Sequence, residues 1–104
     1  MAETDVQCQR IDNGWLCAVT VADDHSASSH TVAVPDTDLR RFAPGAVDPI
    51  DLVRRSFDFL LAREPKEAVL HSFDLPVIGR YFPEFEREIT RDIERNIGRN
   101  IGKG

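Results

Sequence analysis

Asp48-Pro49-Ile50-Asp51-Leu52-Val53-Arg54-Arg55-Ser56-Phe57-Asp58-Phe59-Leu60-Leu61-Ala62-Arg63-Glu64-Pro65 is the stretch that decides the fold. It reads as one helix with both ends marked. The Asp48 carboxylate can accept from free N–H groups of a first turn. Pro49 suits the first helical position, where its missing N–H costs nothing. Pro65 ends the helix, because a proline pushes the residue before it out of the α region. Ile50, Val53, Phe57, Leu60 and Leu61 share one face at helical spacing. Leu52 and Phe59 add a second apolar sector. Asp51, Arg54, Arg55 and Asp58 take the remaining side. So wide an apolar surface predicts a central helix contacted from two directions.

Upstream the pattern changes to strands. Val6–Ile11 and Trp15–Ala22 flank Asp12-Asn13-Gly14, and Asn-Gly between β-prone runs is a strong hairpin signal. With Asn13 and Gly14 as turn residues, Asp12 faces Trp15, Arg10 faces Cys17 and Cys8 faces Val19. Both faces of the second strand are largely apolar, which predicts that it is well covered. Cys8 and Cys17 then lie diagonally, about 7–8 Å apart and beyond disulfide reach. They are read as reduced, apolar side chains on the sheet, in keeping with a cytoplasmic protein. Thr31–Val34 forms a third strand, stopped by Pro35.

Pro35–Phe42 reads as a short helix capped by Asp36, followed by a turn over Ala43-Pro44-Gly45-Ala46. Downstream of the central helix, Lys66–His71 reads as a helical turn carrying Val69 and Leu70 inward. Ser72 or Asp74 then caps a new start, and Leu75, Ile78 and Phe82 follow at helical spacing until Pro83 breaks it. A last helix begins at Glu84. The expectation is an α+β fold: a small three-stranded antiparallel meander followed by about four helices packed on one face. It is a single domain, 1–104, with a β part over 6–34, a helical part over 36–97 and a tail over 98–104. Phe42, Phe57, Phe59, Phe73, Tyr81, Phe82 and Phe85 are read mostly as the core of the helical half.

Two resemblances go with these residues. Leu39-Arg40-Arg41-Phe42-Ala43-Pro44-Gly45, Asp48-Pro49, Phe59–Pro65 and Phe73–Glu84 together resemble a group of small uncharacterised bacterial proteins. The resemblance spans about half the chain. It implies a bacterial cytosolic origin and brings no activity and no site residues. Thr31–Pro35 followed by two helices is similar to the strand-helix-helix order of ribbon-helix-helix DNA-binding dimers. The strand departs from that family in carrying no Lys or Arg, and it already has a partner within the chain.

Composition narrows the function. The chain has 104 residues, a formal net charge of −5, 41% hydrophobic and 30% charged residues. That is one ordered core, with a charge that disfavours binding nucleic acid mainly through phosphates. No apolar run approaches a membrane span, and Met1–Asp5 lacks the basic and apolar regions of a signal peptide. No phosphate-binding glycine loop, zinc spacing or catalytic pair stands out, so no catalytic, metal-binding or cofactor-binding residue is assigned and no cofactor is expected. His25, His30 and His71 are the only candidates should the chain be an enzyme.

The remaining signal is a C-terminal repeat. Ile89, Ile93, Ile97 and Ile101 recur every four residues, with Arg91, Arg95, Arg99 and Lys103 in step two positions later. On a helix a period of four drifts about 40° per repeat, so each stripe winds around the axis. The i, i+3 pairs Glu84–Arg87, Glu88–Arg91 and Asp92–Arg95 would neutralise the arginines locally. The expected function is an interaction or regulatory module that self-associates or binds another protein. Its candidate surface is Tyr81, Phe82, Phe85, Ile89, Ile93 and Ile97 with Arg91, Arg95 and Arg99. The alternative is a DNA-binding dimer.

Overall fold

The computed structural model describes the backbone of residues 2–102 and the side chains of residues 2–95. Three long strands come first: β1 (Glu3–Ile11), β2 (Gly14–Ala22) and β3 (Ala27–Pro35). Helices α1 (Asp36–Phe42) and α2 (Ile50–Leu61) follow. A 3-10 turn at Lys66–Ala68 leads into β4 (Ser72–Asp74), a second 3-10 turn at Leu75–Val77, α3 (Ile78–Tyr81) and α4 (Phe85–Gly102). The sheet order is β1-β2-β3-β4, antiparallel through the meander, with β4 parallel to β3. The fold is therefore α+β, with helices on one face of a sheet one strand larger than expected. Ser72–Asp74 is extended, and Asp74 stands at the N-cap position of the 3-10 turn that runs into α3, though its side chain makes no capping hydrogen bond. Three residues are too few to show alternation, and this strand exists because β3 offers its free edge.

The hairpin register differs from the expectation by two residues. Ile11 pairs with Gly14, so Asp12 and Asn13 make the turn and Arg10 faces Trp15. Asn13 supplies the positive φ, 61°. Gly14 serves packing: a Cβ there would lie 2.9 Å from the Val34 carbonyl oxygen. A shift of two leaves every side chain on its expected face, which is why the apolar alternation was still readable. It changes the cysteines completely. Cys8 now faces Cys17, their Cα atoms are 4.0 Å apart, and the two are joined as a disulfide. That short spacing marks a non-hydrogen-bonded pair, the site where side chains lie closest. The reading of reduced thiols is corrected, and the cytoplasmic expectation loses that support, since disulfides persist mainly in oxidising compartments.

The sheet is covered on one side only. Val6, Cys17, Val19, Val21, Val32 and Val34 face the helices and are buried, whereas Ala18 and Thr20 are exposed. Full cover of β2 is thus corrected: on its second face Leu16 and Ala22 are half-buried, and the small residues between them are left uncovered. Among the described residues, no helix is long and apolar enough to cross a membrane.

Helix α2 is central, as its pattern requires. The Ile50 N–H donates to Asp48 Oδ1 at 3.0 Å, and Pro49 stands just before the first helical residue. Leu52, Val53, Phe57, Phe59 and Leu60 are buried. So is Ser56, whose hydroxyl is satisfied by donating to the Leu52 carbonyl at 2.7 Å. Phe57 meets His30 and Phe73 at 5.3 and 6.2 Å between ring centres, while Phe59 meets Phe85 and Phe82 at 5.2 and 5.8 Å. The two apolar sectors thus face different layers. Asp36 does not cap α1. Its carboxylate receives Arg10 Nη2 at 2.7 Å, and its N–H donates to the Asn13 carbonyl at 3.0 Å, fastening α1 to the hairpin turn.

The disulfide closes a loop of about ten residues, for which chain entropy gives roughly 2–3 kcal/mol. Reduction, or the double change Cys8→Ser/Cys17→Ser, is expected to lower the unfolding free energy by about that much. Chemical denaturation with and without reductant reads this directly, and the double variant should no longer respond to reductant.

Candidate functional site

The structure divides the sequence-derived surface. Phe85, Ile89 and Ile93 are core residues, 0%, 3% and 7% exposed. Phe82 is half-buried and Tyr81 is exposed. Arg91 and Arg95 are exposed, and the side chains of Ile97 and Arg99 lie outside the described residues. The expected continuous patch therefore shrinks to its first residues.

What the sequence did not show is a groove beside Tyr81. Leu60, Glu64, Ala68, Val69, Leu70, Phe73, Val77, Ile78, Tyr81 and Phe82 enclose about 170 Å³. Leu70 and Tyr81, 46% and 66% exposed, stand at its rim. The volume lies below the roughly 300–1,000 Å³ of sites for drug-sized ligands; it fits one or two aliphatic side chains. Glu64 is its one ionisable carboxylate and has no ion-pair partner among the described residues.

Local chemistry explains why Leu70 is exposed. The turn at Lys66–Ala68 ends with Val69 in extended backbone, φ −77° and ψ 134°. Successive side chains of extended chain point to opposite sides. Val69 goes into the core at 4% exposure and Leu70 goes out, which corrects the expectation that both turn inward. The segment is held by polar contacts on its far side. His30, 3% exposed, has Nδ1 2.7 Å from the Leu70 carbonyl oxygen and Nε2 2.8 Å from Ser28 Oγ. A carbonyl only accepts, so Nδ1 carries the hydrogen, and in the neutral ring Nε2 then accepts from the Ser28 hydroxyl. The His71 ring stacks on His30 at 5.7 Å, and its Nδ1 donates to the Ser29 carbonyl at 3.1 Å. His30 and His71 are thus brought together, whereas His25 lies apart in the β2–β3 loop, where its backbone N–H donates to Asp23 Oδ1 at 2.8 Å. A hydroxyl on an imidazole oriented by an acceptor is also the relation of nucleophile to base. Here it fastens β3 to residues 70–72.

Lys66 anchors the same segment. Its ammonium, 6% exposed at the side chain, donates to Asp23 at 2.6 Å and to Glu67 at 2.7 Å. Those hydrogen bonds hold the Asp23 and Glu67 carboxyls below the usual carboxylate range and raise Lys66. The Asp23 oxygens are taken up by Lys66 and by the N–H groups of His25 and Ser26.

Helix α4 does not neutralise its arginines locally. Acids in and just before α4 reach α2 and the turn after it instead: Asp92 takes Arg55 at 2.6 Å, and Glu88 and Glu84 take Arg63 at 3.2 and 3.4 Å. As α4 ascends from Glu84 to Asp92, its partners descend α2 from Arg63 to Arg55, so the two helices are antiparallel. Such partly exposed pairs are worth at most about 1 kcal/mol each, against about 1.5–3 kcal/mol for a buried phenylalanine. Packing of Phe59 on Phe85 holds the helices together, and the ion pairs set their alignment.

The strand-helix-helix alternative needs β3 to pair across a two-fold. Both of its edges are occupied within the chain, by β2 and β4. Comparison with known proteins finds no matching family model, no matching curated protein and no matching solved structure.

Because the carboxyl pKa values of Asp23 and Glu67 fall on folding, Lys66 contributes stability that is complete above about pH 5 and is lost as pH falls through 4 and below. Because the Lys66 pKa rises, its own contribution holds below about pH 10 and fades above it. Lys66→Met is expected to lower the melting temperature near neutral pH. It should also flatten the acid limb between about pH 5 and 3, as measured by melts across pH.

Proposed function

We propose that this chain is a protein-interaction module that acts by self-association, with the groove bounded by Leu70 and Tyr81 as its receiving surface. The observation that carries this reading is the exposed rim itself. Leu70 is held outward by hydrogen bonds of its own backbone and of its neighbours, so its exposure is built into the fold. Leu70 and Tyr81 flank an apolar floor sized for side chains. Large apolar side chains gathered around such a floor mark contact sites more often than scattered ones do. The acidic charge supports a protein partner over nucleic acid.

Sedimentation velocity over a wide concentration range tests the reading. The wild-type chain is expected to gain mass with concentration, and Leu70→Asp to remain monomeric with a melting temperature within a few degrees of wild type. A wild-type monomer at every concentration would overturn the proposal, as would a Leu70→Asp variant that assembles like wild type.

A further inference from the structure

Resting on that reading, we infer that the groove receives the C-terminal segment of a second copy, residues 97–104, so that copies join head to tail. Three observations lead there.

The first is position. Leu60 and Glu64 put the groove at the C-terminal end of α2, where α4 begins. Arg55 is level with Asp92 in the antiparallel pair. One residue of α4 forward then matches one of α2 backward, which brings Ile97 level with Ile50 and carries Ile101 past the start of α2. Ile101 is sixteen residues beyond Phe85 in the same helix, about 24 Å along the axis. The tail of one chain cannot continue its helix and reach its own groove; it can reach the groove of the next.

The second is the sequence pattern that follows the buried part of α4. The isoleucine stripe is core through Ile93 and repeats twice more, at Ile97 and Ile101. Gly98 and Gly102 are poor helix formers, so this helical end needs a contact to sustain it. One step after Ile97 and Ile101, each glycine also leaves room for a close approach beside them.

The third is charge. Residues 95–104 hold Arg95, Arg99 and Lys103 and no acid, a net +3. The rest of the chain then has 10 basic side chains (13 less 3) against 18 acidic ones, a net −8. Glu64 lines the groove, and Glu67 sits close by on Lys66. A basic tail is drawn to this end of an acidic body, an attraction that sets encounter and orientation and weakens with salt. On a helix the arginines lie opposite the isoleucines, so Ile97 and Ile101 enter the groove while the charges act through their surroundings.

A contact between two different surfaces generates chains or rings, whereas a two-fold contact stops at a dimer. Mixing exploits this difference. Leu70→Asp disables the groove, where Leu70 is exposed, and Ile101→Asp disables the tail. Each variant alone is expected to lose assembly at least tenfold. Light scattering on the equimolar mixture should then give a 1:1 dimer and nothing larger, joined by the one intact groove and the one intact tail. Tyr81→Asp serves as a second groove variant should Leu70→Asp disturb folding. If the wild type assembles and Ile101→Asp assembles equally well, or the mixture stays monomeric, the tail assignment falls while self-association stands. If the wild type never assembles, both fall together.

Discussion

Helix α2 has two apolar sectors and only one sheet face to lie on, and the rest of the structure follows from that. One sector, with Phe57, goes to the sheet side among His30 and Phe73. The other, with Phe59, has to be covered by something that is not sheet, and Phe82 and Phe85 cover it. Helix α4 is therefore required to run beside α2, and aromatic burial outweighs the partly exposed ion pairs between them. Those pairs still matter, because they set the antiparallel alignment that separates the groove from the C-terminal segment.

The return path from α2 to α4 makes the groove. After Pro65 the chain must cross back past the sheet within a few residues. It does so in extended backbone pinned by Lys66 to Asp23 and by His30 to the Leu70 carbonyl. Extended chain against a core buries alternate residues, so Val69 goes in and Leu70 goes out. An exposed leucine on a fastened segment costs little further conformational entropy on docking, since its backbone is already ordered. Stability and recognition thus depend on the same crossing.

Much of the fold was legible because the signals were periodic. The apolar sectors of α2, its Asp48 cap, the three meander strands and the aromatic core could all be read from spacing. The failures share a cause: contacts far apart in sequence replaced local ones. Asn-Gly suggested Gly14 as a turn residue, but the Val34 backbone claims that glycine, and the two-residue shift joined Cys8 to Cys17. Asp36 looked like a cap and is held by Arg10. The α4 acids looked like local partners for its arginines and instead bind α2. The groove had no sequence signal of its own, because its lining comes from α2, the crossing and α3. In hindsight, the one usable hint was the step from helical spacing to an extended Val69-Leu70 pair soon after Pro65.

The head-to-tail account is tested most directly by amide 15N–1H spectra of the full chain over a dilution series. It predicts shifts at Leu70, Val77 and Tyr81 and at Ile97–Gly102, all following one concentration midpoint. Shifts confined to the exposed strand β1, or spectra that do not change with concentration, would contradict it.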